Sequence, residues 1–128
     1  MKNVSKIYVG VDVSKDFLDI AFNPLGKHFR VKNTLSGLED FLKHLSDYKV
    51  VRIACESSGG YEKAMIKLLS KSGYNVVLLD PKQVRHFRLS KKVKAKTDKI
   101  DAHMIASYTA SNEPEYGRVK FEVRQFQL

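Results

Sequence analysis

The hydrophobic rhythm of the chain changes several times, and each change marks an element. Residues Ile7 to Val13, IYVGVDV, are apolar at nearly every position, the pattern of a central strand buried on both faces. After the polar break SKD, Phe17 to Phe22 (FLDIAF) resumes an extended pattern, and the turn NPLGK leads into HFRVK. Tight connections join antiparallel neighbours, so these three strands predict a meander. From Thr34 the period lengthens: Leu35, Leu38, Phe41, Leu42 and Leu45 fall on one helical stripe, with Thr34 or Ser36 as the cap. A fourth strand, Val50 to Cys55, is followed by ESSGGY and a second amphipathic helix bearing Ala64, Ile66, Leu68 and Leu69, ended near Gly73. Tyr74 to Leu79 reads as a fifth strand. After Asp80 a basic helix is expected from Pro81 to about Leu89, and another from Thr97 or Asp98 to about Ser111. Beyond Glu113 the stretch VKFEVRQF alternates like a strand, and the chain stops at Leu128 without a turn or cap, as though a longer protein continued.

A meander followed by alternating helices and strands implies an α/β fold, a mixed five-stranded sheet with helices on its faces. Among arrangements of that order the ribonuclease H-like fold is the expected one. It sets the first strand beside the fourth, so that acids far apart in sequence converge.

Composition narrows the partners. A chain of 128 residues is one ordinary domain. With 43% apolar and 29% charged residues it has the balance of a folded globular protein. No apolar run approaches the roughly 20 residues that span a bilayer, and no signal-type segment opens the chain, so a cytoplasmic protein without a membrane partner is expected. A single cysteine, Cys55, excludes an internal disulfide, and no zinc-ligand spacing is present, so any metal is expected to be held by oxygen. The formal charge of +9 favours polyanionic partners. Most of that excess is local: Lys82, Arg85, Arg88, Lys91, Lys92, Lys94, Lys96 and Lys99 face only Asp98 in their stretch. Such a run reads either as a solvated face or as a track for a nucleic-acid backbone, whose contacts hold register without reading sequence.

Four acids carry the candidate chemistry. Asp12 lies in the most apolar strand, where a carboxylate is costly to bury without a partner or a cation. Glu56 closes another apolar strand where the chain turns toward a helix, the place where open α/β sheets bind ligands. Asp98 and Asp101, three apart on a helix, project from one face. Taken singly, each has a structural explanation as a strand-end acid or a helix cap. Brought together they repel one another unless a divalent cation joins them, and hard oxygen ligands select Mg²⁺ or Mn²⁺. A divalent ion beside a basic track suits phosphodiester chemistry. Ser58, in the SSGGY turn, reads either as part of a tight strand-to-helix turn or as a contact to a nucleic-acid phosphate near Glu56. Cys55 reads as a small buried residue, and Tyr61 and Tyr108 as packing residues before stacking ones.

Three segments in this order, YVGVDVSKD with Asp12, ACESSGGYE with Glu56 and KAKTDKIDAHMIA with Asp98 and Asp101, resemble the N-terminal domain of the DEDD transposases of the insertion sequence 110 family, relatives of the pilin gene-inverting recombinases. The LDPKQVRHF linker agrees as well, and the resemblance runs from about Lys6 to Asn112. It implies a RuvC-like domain, over residues 1–112, whose Asp12, Glu56, Asp98 and Asp101 bind Mg²⁺ for cleavage and transfer of DNA strands. Residues 113–128 are then a tail or the start of a linker. The resemblance further implies a C-terminal domain with a serine nucleophile, a guide RNA and a homo-oligomer of the full-length protein. The alternatives are a noncatalytic nucleic-acid-binding module, in which the acids are only caps and surface charges, and half of an actin-like phosphotransferase.

Overall fold

The computed structural model describes residues 6–91 and 98–112. Lys92, Lys94, Lys96, Thr97 as a helix start and the expected strand beyond Glu113 lie outside the described residues. The elements are β1 (Lys6–Val13), β2 (Phe17–Asn23), β3 (Lys27–Lys32), α1 (Leu35–Leu45), β4 (Lys49–Glu56), α2 (Lys63–Lys71), β5 (Val76–Leu79), α3 (Pro81–Ser90) and α4 (Asp98–Ser111). They form a sheet of order β3-β2-β1-β4-β5, antiparallel on the meander side and parallel from β1 to β5. This is the mixed sheet expected from the pattern, with β1 in the middle.

Local chemistry sets three of the helix ends. Thr34, extended in backbone, caps α1 by accepting the Gly37 amide at 3.1 Å, and Ser36 lies inside the helix. Asp80 accepts the Lys82 amide at 2.9 Å ahead of α3, and Pro81 occupies the first helical turn, where its missing N–H costs nothing. At the end of α2 the Tyr74 amide reaches back to the Leu69 carbonyl at 3.1 Å across Gly73, whose φ of +96° suits glycine. Two expectations shift in detail. Helix α2 buries Met65, Ile66 and Leu69 while Ala64 is exposed, and β5 begins at Val76 rather than Tyr74.

The two faces of the sheet are packed differently. On one, Ile7, Val9 and Val11 of β1 with Ile53 and Cys55 of β4 meet Leu38, Phe41 and Leu45 of α1 and Met65, Ile66 and Leu69 of α2. Fully burying such side chains contributes about 1.5–3 kcal/mol each. On the other face the strands present small residues. A Cβ built on Gly10 falls 2.3 Å from both the Ala102 carbonyl oxygen and the Ala106 amide nitrogen, so α4 lies directly on the backbone of β1. Ala21 of β2 packs with Ala102 and Ala106, and Ala54 of β4 packs with Ile105, Tyr108 and Val84. Among the described residues no helix is long and apolar enough to cross a membrane.

Candidate carboxylate site and nucleic-acid face

The alternation along β1 and β4 decides where the acids stand. Gly10 faces α4, and strand side chains repeat every second residue, so Asp12 projects from the same face. Gly10 pairs with Ala54 and Val11 with Cys55 in parallel register, so the next step sets Asp12 beside Glu56. Ala54 packs under α4, which puts Glu56 on that face too. Both acids are half-buried and sit at the carboxyl ends of adjacent parallel strands, the usual position of ligands in such sheets.

Helix α4 crosses the same face. Asp98 is its first residue, Lys99 follows it, and Asp101 lies one turn on. Asp101 is buried and accepts a hydrogen bond from the Arg88 Nη2 of α3. Arg88, expected on the outward basic track, is thus turned inward as the countercharge of Asp101. The physical reason is cost: a buried carboxylate requires a partner, and α3 lies alongside α4. Lys82, Arg85 and Lys91 of the same track are exposed, and Lys91 rests its ammonium over the Phe87 ring at 5.3 Å. Among the described residues no three His, Cys, Asp or Glu side chains form a group able to hold a metal ion. The pair of strand acids nevertheless fits Mg²⁺, which keeps several waters and is commonly held by one or two carboxylates together with substrate phosphates.

Two further acids belong to this region: Asp19, outside the quoted motifs, and Glu62, the last residue of ACESSGGYE, to which the sequence assigned no role. Asp19 of β2 stands opposite Asp12 in antiparallel register and is almost fully buried. It takes a forked pair of bonds from Arg30, Nε at 3.1 Å and Nη2 at 3.0 Å, with His28 Nε2 at 3.0 Å. Arg30 also covers the Phe17 ring at 4.6 Å. Like charges directly opposite on neighbouring strands destabilise a sheet, and the Arg30 fork offsets that repulsion beside Asp12. Within FLDIAF, Asp19 looks like the polar position of an alternating strand; only the pairing with Arg30, directly opposite on the neighbouring strand β3, distinguishes it.

Glu62 is the other. Its Oε1 accepts the Ser58 hydroxyl at 2.6 Å, the Ser58 amide at 3.1 Å and the Gly60 amide at 3.2 Å, closing the SSGGY loop on itself. Gly59 and Gly60 have φ of +75° and +107°, which a loop this tight requires. Ser58 and the loop amides, considered as a phosphate cradle in the sequence, therefore serve a carboxylate of the chain itself. Burial pushes the Glu62 carboxyl up, but the hydrogen bonds from Ser58 and the loop amides outweigh it and hold the group below its ordinary value. Burial, with the charges of Glu62 and Glu56, pushes the Cys55 thiol strongly up, so it is an inert core group.

A depressed carboxylate stabilises the fold above its unfolded pKa, and that contribution is lost as pH falls through the folded one. Glu62→Ala is expected to lose about 1–3 kcal/mol at neutral pH. Urea titrations should show the gap between wild type and Glu62→Ala closing as the solution is acidified below the ordinary carboxylate range. A gap independent of pH would remove the charge from this account.

The fold and the paired strand acids define a ribonuclease H-like domain with carboxylates at the exit of its central parallel strands. One solved structure, that of T. thermophilus RuvC in complex with Holliday junction substrate, superposes with a TM-score of 0.67 at 14% identity, covering 87% of this chain and 96% of that one. The family model described as Transposase, of the DEDD insertion sequence 110 type, matches residues 9–126, and the chain belongs to that family. It is 23% identical over 117 residues to the pilin gene-inverting proteins of Moraxella lacunata and of Moraxella bovis. The match takes in 87% of this chain and 36% of each relative, so the chain spans little more than a third of their length.

Proposed function

We propose that this chain is the metal-dependent, DNA-cleaving part of a transposase, acting in the cytoplasm with Asp12, Glu56, Asp98 and Asp101 as its working acids. The observation that carries the reading is the placement of Asp12 and Glu56 on one face, at the ends of neighbouring parallel strands, with the Asp101 helix laid across that face. Asp12 and Glu56 would hold Mg²⁺ or Mn²⁺ from the sheet side, and Asp98 and Asp101 from the helix side. When bound, the ion polarises the scissile phosphate and stabilises charge on the oxygens of the displacement. The exposed Lys82, Arg85 and Lys91 hold the DNA backbone nearby, joined by Lys92, Lys94, Lys96 and Lys99. Asp19 and Arg30 keep the ground beside Asp12 electrically balanced. The family membership and the RuvC likeness support this assignment of substrate. We infer that completion of recombination also requires a serine-bearing C-terminal domain, a guide RNA and association of several copies, with residues 113–128 as a tail or the start of a linker toward that domain.

Calorimetric titration with Mn²⁺ tests the reading. Saturable binding by the chain, lost in both Asp12→Ala and Glu56→Ala, is the expected result. Binding that survives both substitutions would leave the module that holds nucleic acid without catalysis as the better account.

A further inference from the structure

Asn33 belongs to neither of the strands that carry Asp12 and Glu56, yet it touches the loops that follow both. It stands between the end of β3 and the Thr34 cap of α1. Its side-chain amide donates to the Ser14 carbonyl at 3.0 Å and to the Tyr61 carbonyl at 3.0 Å. Its backbone amide donates to the Asp16 carbonyl at 2.9 Å. Ser14 is two residues past Asp12, and Tyr61 is five past Glu56. A planar amide with two N–H donors meets two carbonyl acceptors, the one match for which Asn suits and Asp does not.

The loops so joined are each stiff. In the first, the Ser14 amide and hydroxyl both donate to the Phe17 carbonyl, at 2.9 and 3.0 Å, and the Phe17 amide returns a bond to the Ser14 hydroxyl at 3.2 Å. The second is closed by Glu62. Paired backbone between β1 and β4 runs as far as Val11 with Cys55, and the two acids lie one step beyond it. At that point, one step past the last paired residues, a shared cation needs the two acids at a fixed spacing. Asn33 ties the two exits together from the far side of the gap.

We infer that Asn33 is a positioning residue of the carboxylate site, a strut between the two loops that sets the separation of Asp12 from Glu56; this rests on the metal reading above. Residues that orient metal ligands without touching the ion typically change affinity 10–100-fold when removed. The test compares the 128-residue chain with Asn33→Ala, Asn33→Ser and Thr34→Ala, measuring Mn²⁺ affinity by calorimetry and the thermal midpoint of each. Thr34→Ala removes the neighbouring helix cap and leaves both loop contacts in place, so it matches the loss of stability without loosening the strut. Asn33→Ala is expected to weaken Mn²⁺ about 10-fold or more. Asn33→Ser, with a single shorter donor, should fall between and serves if the alanine variant does not fold. Thr34→Ala should bind as wild type does. Wild-type affinity in the Asn33 variants, or equal weakening in Thr34→Ala, overturns the strut. Failure of the wild-type chain itself to bind Mn²⁺ overturns the metal reading beneath it, a distinguishable result.

Discussion

Gly10→Ala is expected to destabilise the protein by about 3 kcal/mol or more, the upper end for a methyl forced into a packed interior. The backbone of Gly10 is ordinary strand, so the cost comes from space alone. The added carbon would meet the Ala102 carbonyl and the Ala106 amide at 2.3 Å, and the Ala106 Cα at 2.9 Å. All three atoms are backbone of α4, which has no rotamer to turn aside. The helix must lift from the sheet, carrying Asp101 away from the strand acids and opening the alanine contacts at Ala21 and Ala106. Thermal unfolding should fall by roughly 10 °C. Mn²⁺ binding should weaken even well below the midpoint, where the variant is still folded. A variant as stable as wild type would mean that α4 does not rest on β1 as described.

Arg88→Met should cost about 3 kcal/mol, since breaking a buried ion pair leaves one charge uncompensated. Asp101 is 3% exposed, so water does little to replace the lost guanidinium. The Arg88 Nε is itself buried without a hydrogen-bond partner among the described residues, which makes the pair an imperfect one and holds the figure to the lower end of its range. Removing both charges in Arg88→Met with Asp101→Leu should recover much of the loss, because a packed apolar pair can replace a buried ionic one. Denaturant titration of the single and double variants measures the coupling. If Asp101 is a working acid, added Mn²⁺ should raise the midpoint of Arg88→Met more than that of wild type, a cation taking the place left by the guanidinium. Equal stability of Arg88→Met and wild type would show that the pair contributes nothing.

The order of elements was legible because each depends on local pattern. The apolar run around Val9, the stripe from Leu35 to Leu45 and the Asp-Pro start of α3 are decided within a few residues. The common face of Asp12 and Glu56 also follows from alternation, once β1 is taken to neighbour β4. On α2 the expected Ile66, Leu68 and Leu69 do face the core, but Met65 rather than Ala64 completes the stripe, since both are apolar and tertiary packing selects the larger side chain. What stayed hidden is relational. Asp19, Glu62 and Asn33 are ordinary polar residues in the linear text, and their meaning lies in partners brought near by register or by loop closure. Arg88 shows the same limit from the other side, since a run of like charges does not reveal which member turns inward.

The sheet order has a consequence for how copies of the molecule meet one another. The outer strand β3 carries Lys27, Arg30 and Lys32 along its six residues, and β5 at the other margin is only four residues long. Cationic side chains on one rim and brevity on the other discourage strand-to-strand polymerisation. A chain with a formal charge of +9 can therefore gather at high local concentration without its sheets stitching together.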